Sequence, residues 1–354
     1  MMLTHCAVDE KTAIGFSSTK QNGGTVMDFL GTNISPLGMG CWPIGGAMYA
    51  GDQSLGYTRA DDSVSIRTIH AALDGGITLF DTAAAYGAGH SERLLATALK
   101  DRPDALIATK IGIGIEESTK QISFGPFLPD MVPAAVEGCL KRLRRDRIDL
   151  LLLHVNEMPI FEAEAVFDAL DRLQEVGKLR AYGWSTDYSQ SASAVSSRPA
   201  FCAVEYAMNV FFDAPRMQKV TQDAGLLSLV RSPLAMGLLS GKYDANTVMP
   251  ADDIRSSRES WMEYYQDSKA NPDVMRTLDA IRDLLQGDGR SLVQGALSWL
   301  WGKADTNIPI PGARTPEQIE GIAQALSFGP LPSDIMDEIE ALTPRNPSEP
   351  DRPR

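Results

Sequence analysis

Eight short apolar runs recur along the chain, separated by longer amphipathic stretches, and this alternation is the pattern of βα units that build a parallel sheet. The runs are Ser35 to Gly40, Thr78 to Thr82, Ala105 to Ile111, Ile148 to His154, Leu179 to Ser185, Phe201 to Tyr206, Leu226 to Ser232 and Ile308 to Gly312. The third and fourth, ALIATKI and IDLLLLH, are almost continuously apolar, as strands covered on both faces must be. Helix signals flank the runs. Asp61 and Asp62 precede a periodic helix to Leu73 that Gly75-Gly76 stops, and Gly177 closes a helix beginning near Phe161. Two segments exceed the rhythm, Gly112 to Pro129 and Leu238 to Asn271, and connections of that length usually carry function. The expected layout is a flexible leader rich in Ser, Thr and Gly over residues 1–25, one α/β barrel over 26–343, and a Pro-rich tail over 344–354.

Composition narrows the class of activity. With 44% hydrophobic and 22% charged residues the chain can bury a sizeable core. A formal net charge of −13 opposes nucleic acid and anionic membrane surfaces but leaves room for a local basic pocket for phosphate, and a homo-oligomer stays open. Cys6, Cys41, Cys139 and Cys202 lie far apart without a C-x-x-C pair, which fits neither a zinc knuckle nor a disulfide framework and suits a reducing, cytoplasmic setting. The leader carries Asp9, Glu10 and Lys11 where a signal peptide needs an apolar stretch, and no 18 apolar residues run together. Neither secretion nor a membrane span is expected.

Several of the apolar runs end in a polar residue. In a parallel barrel the C-terminal strand ends form the active-site face, so Asp81, Lys110, His154 and Ser185 are catalytic candidates. Each has a plainer alternative: Asp81 could cap the next helix, Lys110 could reach solvent, and His154 could be a satisfied core histidine. Burial of Lys110 beside Tyr86 would be more consequential, because an ammonium stabilises phenolate and lowers a tyrosine pKa from about 10, while Asp81 would keep the ammonium charged. No H-E-x-x-H spacing occurs among the four histidines, and no metal is expected.

The motifs around these residues fall in a characteristic order. They are Leu-Gly-Met-Gly at 37–40, Phe-Asp-Thr-Ala-x-x-Tyr-Gly-x-Gly-x-Ser-Glu at 80–92, Ala-Thr-Lys at 108–110 and Ile-Asp-Leu-x-x-x-His at 148–154. Gly-Lys-x-Arg-Ala-Tyr-Gly-Trp-Ser follows at 177–185, then Ser-Pro-Leu-Ala-Met-Gly-Leu-Leu-Ser-Gly-Lys-Tyr at 232–243 and Ile-Pro-Gly-Ala-Arg-Thr-Pro-Glu-Gln at 310–318. Over about Met27 to Leu342 the chain resembles the aldo-keto reductase superfamily. The resemblance implies a (β/α)8 TIM barrel with an N-terminal β-hairpin over its floor and long active-site loops. It also implies a catalytic tetrad of Asp81, Tyr86, Lys110 and His154. The implied activity is NADPH-dependent reduction of an aldehyde or ketone to an alcohol, with Tyr86 as general acid.

The cofactor the resemblance implies is NADP(H), extended across the barrel mouth, since no Gly-x-Gly-x-x-Gly stands between a strand and a helix. The candidate contacts are Cys41, Trp42 and Asp81 from the first strands, and Ser185, Thr186 and Glu205 from the middle ones. Arg231, Ser232, Pro233, Leu234, Gly237 and Lys242 would come from the loop expected over the pyrophosphate, and Gly312, Arg314 and Gln318 from the helix start at Pro316. Four positions depart from the family pattern: Thr186 stands where many members have Asn, Glu205 at the customary Gln, Arg231 at a common aromatic, and Ile322 at a frequent Asn. The substrate pocket is expected from Trp42, Tyr49, Tyr86, His154 and Phe124, with Met48, Phe127, Trp261, Tyr264 and Tyr265 as further loop residues. Two other readings stay open: a catalytically silent NADP(H)-binding barrel serving as a regulatory or redox-sensing subunit, and a barrel lyase using Lys110 as a Schiff base.

Overall fold

The computed structural model describes residues 16–21, 24–57, 60–244, 246–250, 253–256, 262–343, 345 and 351; Trp261 and most of the expected leader and tail lie outside these. Eight parallel strands pair in sequence order: β1 (Gly38–Gly40), β2 (Leu79–Asp81), β3 (Leu106–Ile111), β4 (Ile148–Leu153), β5 (Leu179–Ser185), β6 (Phe201–Ala207), β7 (Leu227–Arg231) and β8 (Asn307–Pro309). A parallel bridge between Gly40 and Gly312 brings the two edges together, and the Gly40 amide donates to the Pro311 carbonyl at 3.0 Å. All eight apolar runs become barrel strands. The first and last are shorter than their runs, where Pro36 and Pro311 supply no amide to a ladder.

Period-two alternation lets each strand serve two cores. Leu79, Leu106, Ala108, Leu150, Leu152, Ala181, Ala203, Leu227, Leu229 and Ile308 pack together inside the barrel. Their sequence neighbours Phe80, Ile107, Leu151, Leu153, Tyr182, Trp184, Val204 and Val230 face outward into the layer under the helices. The inner core is closed by Met27, Phe29 and Ile34 of a three-stranded antiparallel sheet (Phe16–Gln21, Gly24–Phe29, Thr32–Ile34). This sheet corrects the expected leader, whose last third begins a strand at Phe16. Its Ser/Thr/Gly composition suggests loop, but Asn22-Gly23 lies between the paired ends Gln21 and Gly24 and is a dipeptide that favours two-residue hairpins.

The helix signals hold at their marked positions. Asp61 caps the helix Asp62–Asp74 by accepting from the Val64 amide at 2.9 Å, and Gly76 turns the chain out at φ +83°. The helix Ile160–Glu175 ends before Gly177 at φ +77°. The two long excursions are partly ordered into secondary structure at the C-terminal mouth. Gly114–Glu116 and Gln121–Ser123 join Tyr49–Ala50 and Gln53–Ser54 in a four-stranded sheet. The second excursion contains a short turn at Ile254–Ser256 and a hairpin of Tyr265–Gln266 with Lys269–Ala270. No helix among the described residues is long and apolar enough to cross a membrane.

Candidate active site

The C-terminal ends of β2, β3 and β4 deliver three polar side chains to one point. Lys110, on a strand whose every residue is buried, sends its ammonium inward, 2.6 and 2.7 Å from the two carboxylate oxygens of Asp81 and 3.0 Å from the Thr82 carbonyl. It also donates to the Tyr86 hydroxyl at 3.2 Å. Glu205, on β6, brings Oε2 to 3.1 Å from the same nitrogen, an ionic contact rather than an aligned hydrogen bond. Its other oxygen accepts from the Ser185 hydroxyl at 3.3 Å. One ammonium thus sits between two carboxyl groups and a phenol. Because Tyr86 accepts from Lys110, its own hydrogen remains available to a group in the cavity.

Tyr86 leaves the barrel on a tight turn. A Cβ on Gly87, at φ +61°, would meet the Gly45 carbonyl at 1.9 Å, so glycine is required there. The phenol ring stacks on Trp42 with centroids 6.0 Å apart and an interplanar angle of 18°, and it meets His154 edge-on at 6.2 Å. His154 Nδ1 and Trp42 Nε1 are buried without a hydrogen-bond partner among the described residues.

Burial dominates the electrostatics. It raises the Tyr86 pKa above the ordinary tyrosine value; Lys110 pulls the other way but is outweighed by burial together with Asp81 and Glu205. The lowered phenol pKa expected from the sequence is therefore reversed. Burial and the Glu205 charge likewise push Asp81 well above the carboxylate range, against Lys110. Burial works against the Lys110 ammonium, yet Asp81 and Glu205 outweigh it and hold its pKa above that of free lysine. A Schiff base needs a neutral amine, so this arrangement disfavours the lyase reading. Burial, then Lys110 and Arg231, keeps His154 well below 6.5 and hence neutral near pH 7.

Asp81, Tyr86, His154, Glu205 and Arg231 line a cavity of about 1430 Å³ at the mouth. Of the expected cofactor contacts, Trp42, Asp81, Ser185, Glu205, Arg231, Ser232, Pro233, Leu234, Gly237, Lys242, Gly312, Arg314 and Gln318 are on its wall. Cys41 and Thr186 are not. Cys41 is fully buried with its thiol toward the Met39 carbonyl, and the Thr186 hydroxyl donates to the Asn156 carbonyl at 2.8 Å. Both follow a wall-lining residue, and successive residues at a strand end point to opposite sides. Among the expected substrate contacts, Trp42, Tyr86, His154 and Phe124 line the cavity, whereas Tyr49 is held in the rim sheet opposite Gln121 while its neighbours Met48 and Ala50 face inward. Of the further loop residues Tyr264 lines the wall, and Phe127 and Tyr265 do not.

Several wall features escape the sequence. Asp187 is buried beside the pocket, accepts from the Ala207 amide at 2.9 Å and holds the Arg231 guanidinium. Asn156 binds Asp187 in turn, its Oδ1 accepting from the Asp187 amide at 2.7 Å. Asn209 Nδ2 donates to the Ser232 carbonyl at 3.0 Å, fixing the start of a run in which Ser232, Ala235, Met236 and Gly237 all have positive φ. Arg255, from the second excursion, is clamped by Asp253 at 2.8 and 2.7 Å and lies over the Tyr243 ring at 4.9 Å. The strand-end rule finds residues on strands, and these partners sit beyond strand ends or on long loops. No group of His, Cys, Asp and Glu able to hold a metal occurs among the described residues.

The model of the family described as "Aldo/keto reductase family" matches residues 36–344. The chain is similar to the aldo-keto reductase YhdN of Bacillus subtilis (strain 168), at 28% identity over 90% of this chain and 93% of that protein. It is also 28% identical to the NADH-specific methylglyoxal reductase of Escherichia coli (strain K12), over 87% and 96% of the two chains. Among solved structures it resembles the glycerol dehydrogenase AKR11B4 from Gluconobacter oxydans, with TM-score 0.73 and 29% identity over 96% and 98% of the two chains.

Proposed function

The chain belongs to the aldo/keto reductase family, and from that membership we propose that it reduces a small aldehyde or ketone to an alcohol at the expense of NADPH, with Tyr86 as proton donor. The residues present suit a nicotinamide dinucleotide. The cavity, at about 1430 Å³, has the volume for such a molecule, its wall carries Lys242, Arg255 and Arg314 for phosphates, and the positive-φ run ending at Gly237 lines it. Gln318 Oε1 accepts from the Arg314 amide at 2.8 Å and orders the start of the helix Pro316–Ala323, whose positive dipole end favours an anion. When bound, such a cofactor supplies the hydride.

The remaining chemistry falls to this chain's side chains. The carbonyl oxygen would take up a position within hydrogen-bond reach of the Tyr86 hydroxyl, with neutral His154 as a second polar group. Lys110 donates to the phenol oxygen and so stabilises the phenolate left when Tyr86 gives up its proton. Asp81 keeps Lys110 charged and fixed. Trp42 stacks on the Tyr86 ring and excludes water from one side.

One observation carries this reading: the Lys110 ammonium, anchored by Asp81 at 2.6 Å, donates to the Tyr86 oxygen at 3.2 Å and leaves the phenolic hydrogen to the cavity. The test is Tyr86→Phe, which keeps the ring and removes the proton. Turnover with an aldehyde panel should fall by about 10²- to 10⁴-fold while NADPH binding, followed by fluorescence, is retained. Unchanged turnover in the variant would sink the proposal. The NADP preference rests on the cations at the mouth; the relative named as NADH-specific means that membership of the family does not decide it.

A further inference from the structure

Around the Lys110 nitrogen three acidic side chains face two cationic ones. On β3 there is Lys110; on β2, Asp81; on β6, Glu205; at the end of β7, Arg231; just after β5, Asp187; and after β4, His154, which is uncharged near neutral pH. Arg231 forms a salt bridge with Asp187, and its charge also acts on Glu205. The Lys110 ammonium lies between two acidic side chains, with Asp81 on it through two hydrogen bonds and Glu205 through an ionic contact only. Glu205 is 1% exposed, and its Oε2 makes no hydrogen bond among the described residues. A second buried carboxyl is costly unless something compensates it, and glutamine would fill the same space without that cost.

We propose that Glu205 makes the site discriminate between the two redox forms of its cofactor, binding the oxidised nicotinamide, whose ring carries a positive charge, more tightly than the reduced, uncharged ring. The inference rests on the reading given under Proposed function. If Tyr86 protonates the substrate oxygen, the hydride donor must lie within reach of the neighbouring carbon, about 3–3.5 Å away. Glu205 lies on the same stretch of wall, one ionic contact and one hydrogen bond from the Tyr86 oxygen through Lys110. With the ring uncharged, burial and the Glu205 charge favour a proton on the Asp81 carboxyl; a positive ring there supplies a second cation that lets both carboxyls ionise. The carboxyl also accepts from a carboxamide in either redox form, so hydrogen bonding alone gives no discrimination; charge does.

The experiment measures Kd for NADP⁺ and for NADPH on the same preparations of the wild-type chain, Glu205→Gln and Glu205→Asp, by titration calorimetry without substrate. Glu205→Gln should lower the preference for NADP⁺ over NADPH by about tenfold, mainly through weaker NADP⁺ binding, a screened value for unit charges a few ångströms apart. Glu205→Asp, which keeps the charge, should stay within about threefold of wild type on the same argument. Because both constants come from the same folded fraction, partial misfolding does not alter their ratio. An unchanged ratio in Glu205→Gln, or equal weakening of both forms, would overturn the role given to Glu205 and leave the proposed function intact. A wild-type chain that binds neither form would remove both.

Discussion

Lys110 is fully buried and shared by two carboxyl groups, so its loss should cost more than the loss of either carboxyl. Lys110→Met keeps most of the volume but leaves Asp81 and Glu205 facing each other without a cation. Removing one partner of a buried ion pair costs about 3–5 kcal/mol, and urea unfolding should register a loss of that order. A smaller loss for Lys110→Met than for Asp81→Asn would contradict this ranking. His154 adds a pH dependence of definite sign. Its folded pKa is held well below 6.5, so on acidification the unfolded chain takes up a proton that the folded chain refuses. The stability it contributes is present above pH 6.5 and is lost as pH falls, at no more than about 1.4 kcal/mol per pH unit. Compared with His154→Gln, the wild type should therefore lose stability more steeply between pH 6.5 and 5; parallel curves would refute the assignment. Asp81, whose pKa is raised, acts in the opposite sense and is common to both proteins. The sequence exposes Asp81, Lys110 and His154 because a polar residue ending an apolar strand is anomalous. It conceals Asp187, whose partners Arg231 and Ala207 lie 44 and 20 residues away and leave no local pattern.

Strands are the most legible elements, since a parallel strand buried on both faces needs an apolar run, and all eight runs lie in the barrel. The four-stranded sheet at the mouth is not legible: its strands have two or three residues each and pair segments some 70 positions apart. Cys41 and Thr186 show a different failure, because period-two alternation, if extended past the strand ends, would have turned both away from the cavity. Gly183 on β5 is a point where an element depends on one residue. A Cβ there would lie 2.1 Å from the Ala203 carbonyl oxygen and 2.8 Å from Leu152 Cδ2, at the place where the β5–β6 register shifts. Backbone cannot yield as a flexible side chain does, so Gly183→Ala should destabilise the fold by about 1–3 kcal/mol or more. Thermal unfolding measures this, and a variant as stable as wild type would mean that β5 and β6 do not approach so closely. The neighbouring Ser185 and Glu205 would be displaced with the strands, so weaker cofactor binding should accompany the lower melting temperature.

At the scale of the whole molecule the formal charge of −13 and the proposed affinity for a polyanionic cofactor pull in opposite directions. At physiological ionic strength the screening length is about 8 Å, so acidic residues on the far side of the barrel contribute little at the mouth and the nearby cations decide. Lys242, Arg255 and Arg314 are the basic side chains on the cavity wall away from the catalytic cluster, and Arg255 is already engaged by Asp253. Net charge, read from composition, opposes a nucleic-acid surface at long range but has no bearing on a phosphate site built from a few residues. The 2′-phosphate is the feature that separates NADPH from NADH, so the cations that meet it should affect one cofactor and spare the other. A charge-assisted hydrogen bond contributes about 1.5–3 kcal/mol, equivalent to about ten- to hundredfold in Kd. Arg314→Ala should weaken NADPH binding by that factor and NADH binding by less than about threefold, and adding Lys242→Ala should narrow the difference between the cofactors further. Equal losses for both cofactors would place these cations on the shared pyrophosphate, and a wild-type preference for NADH would overturn the NADP assignment itself.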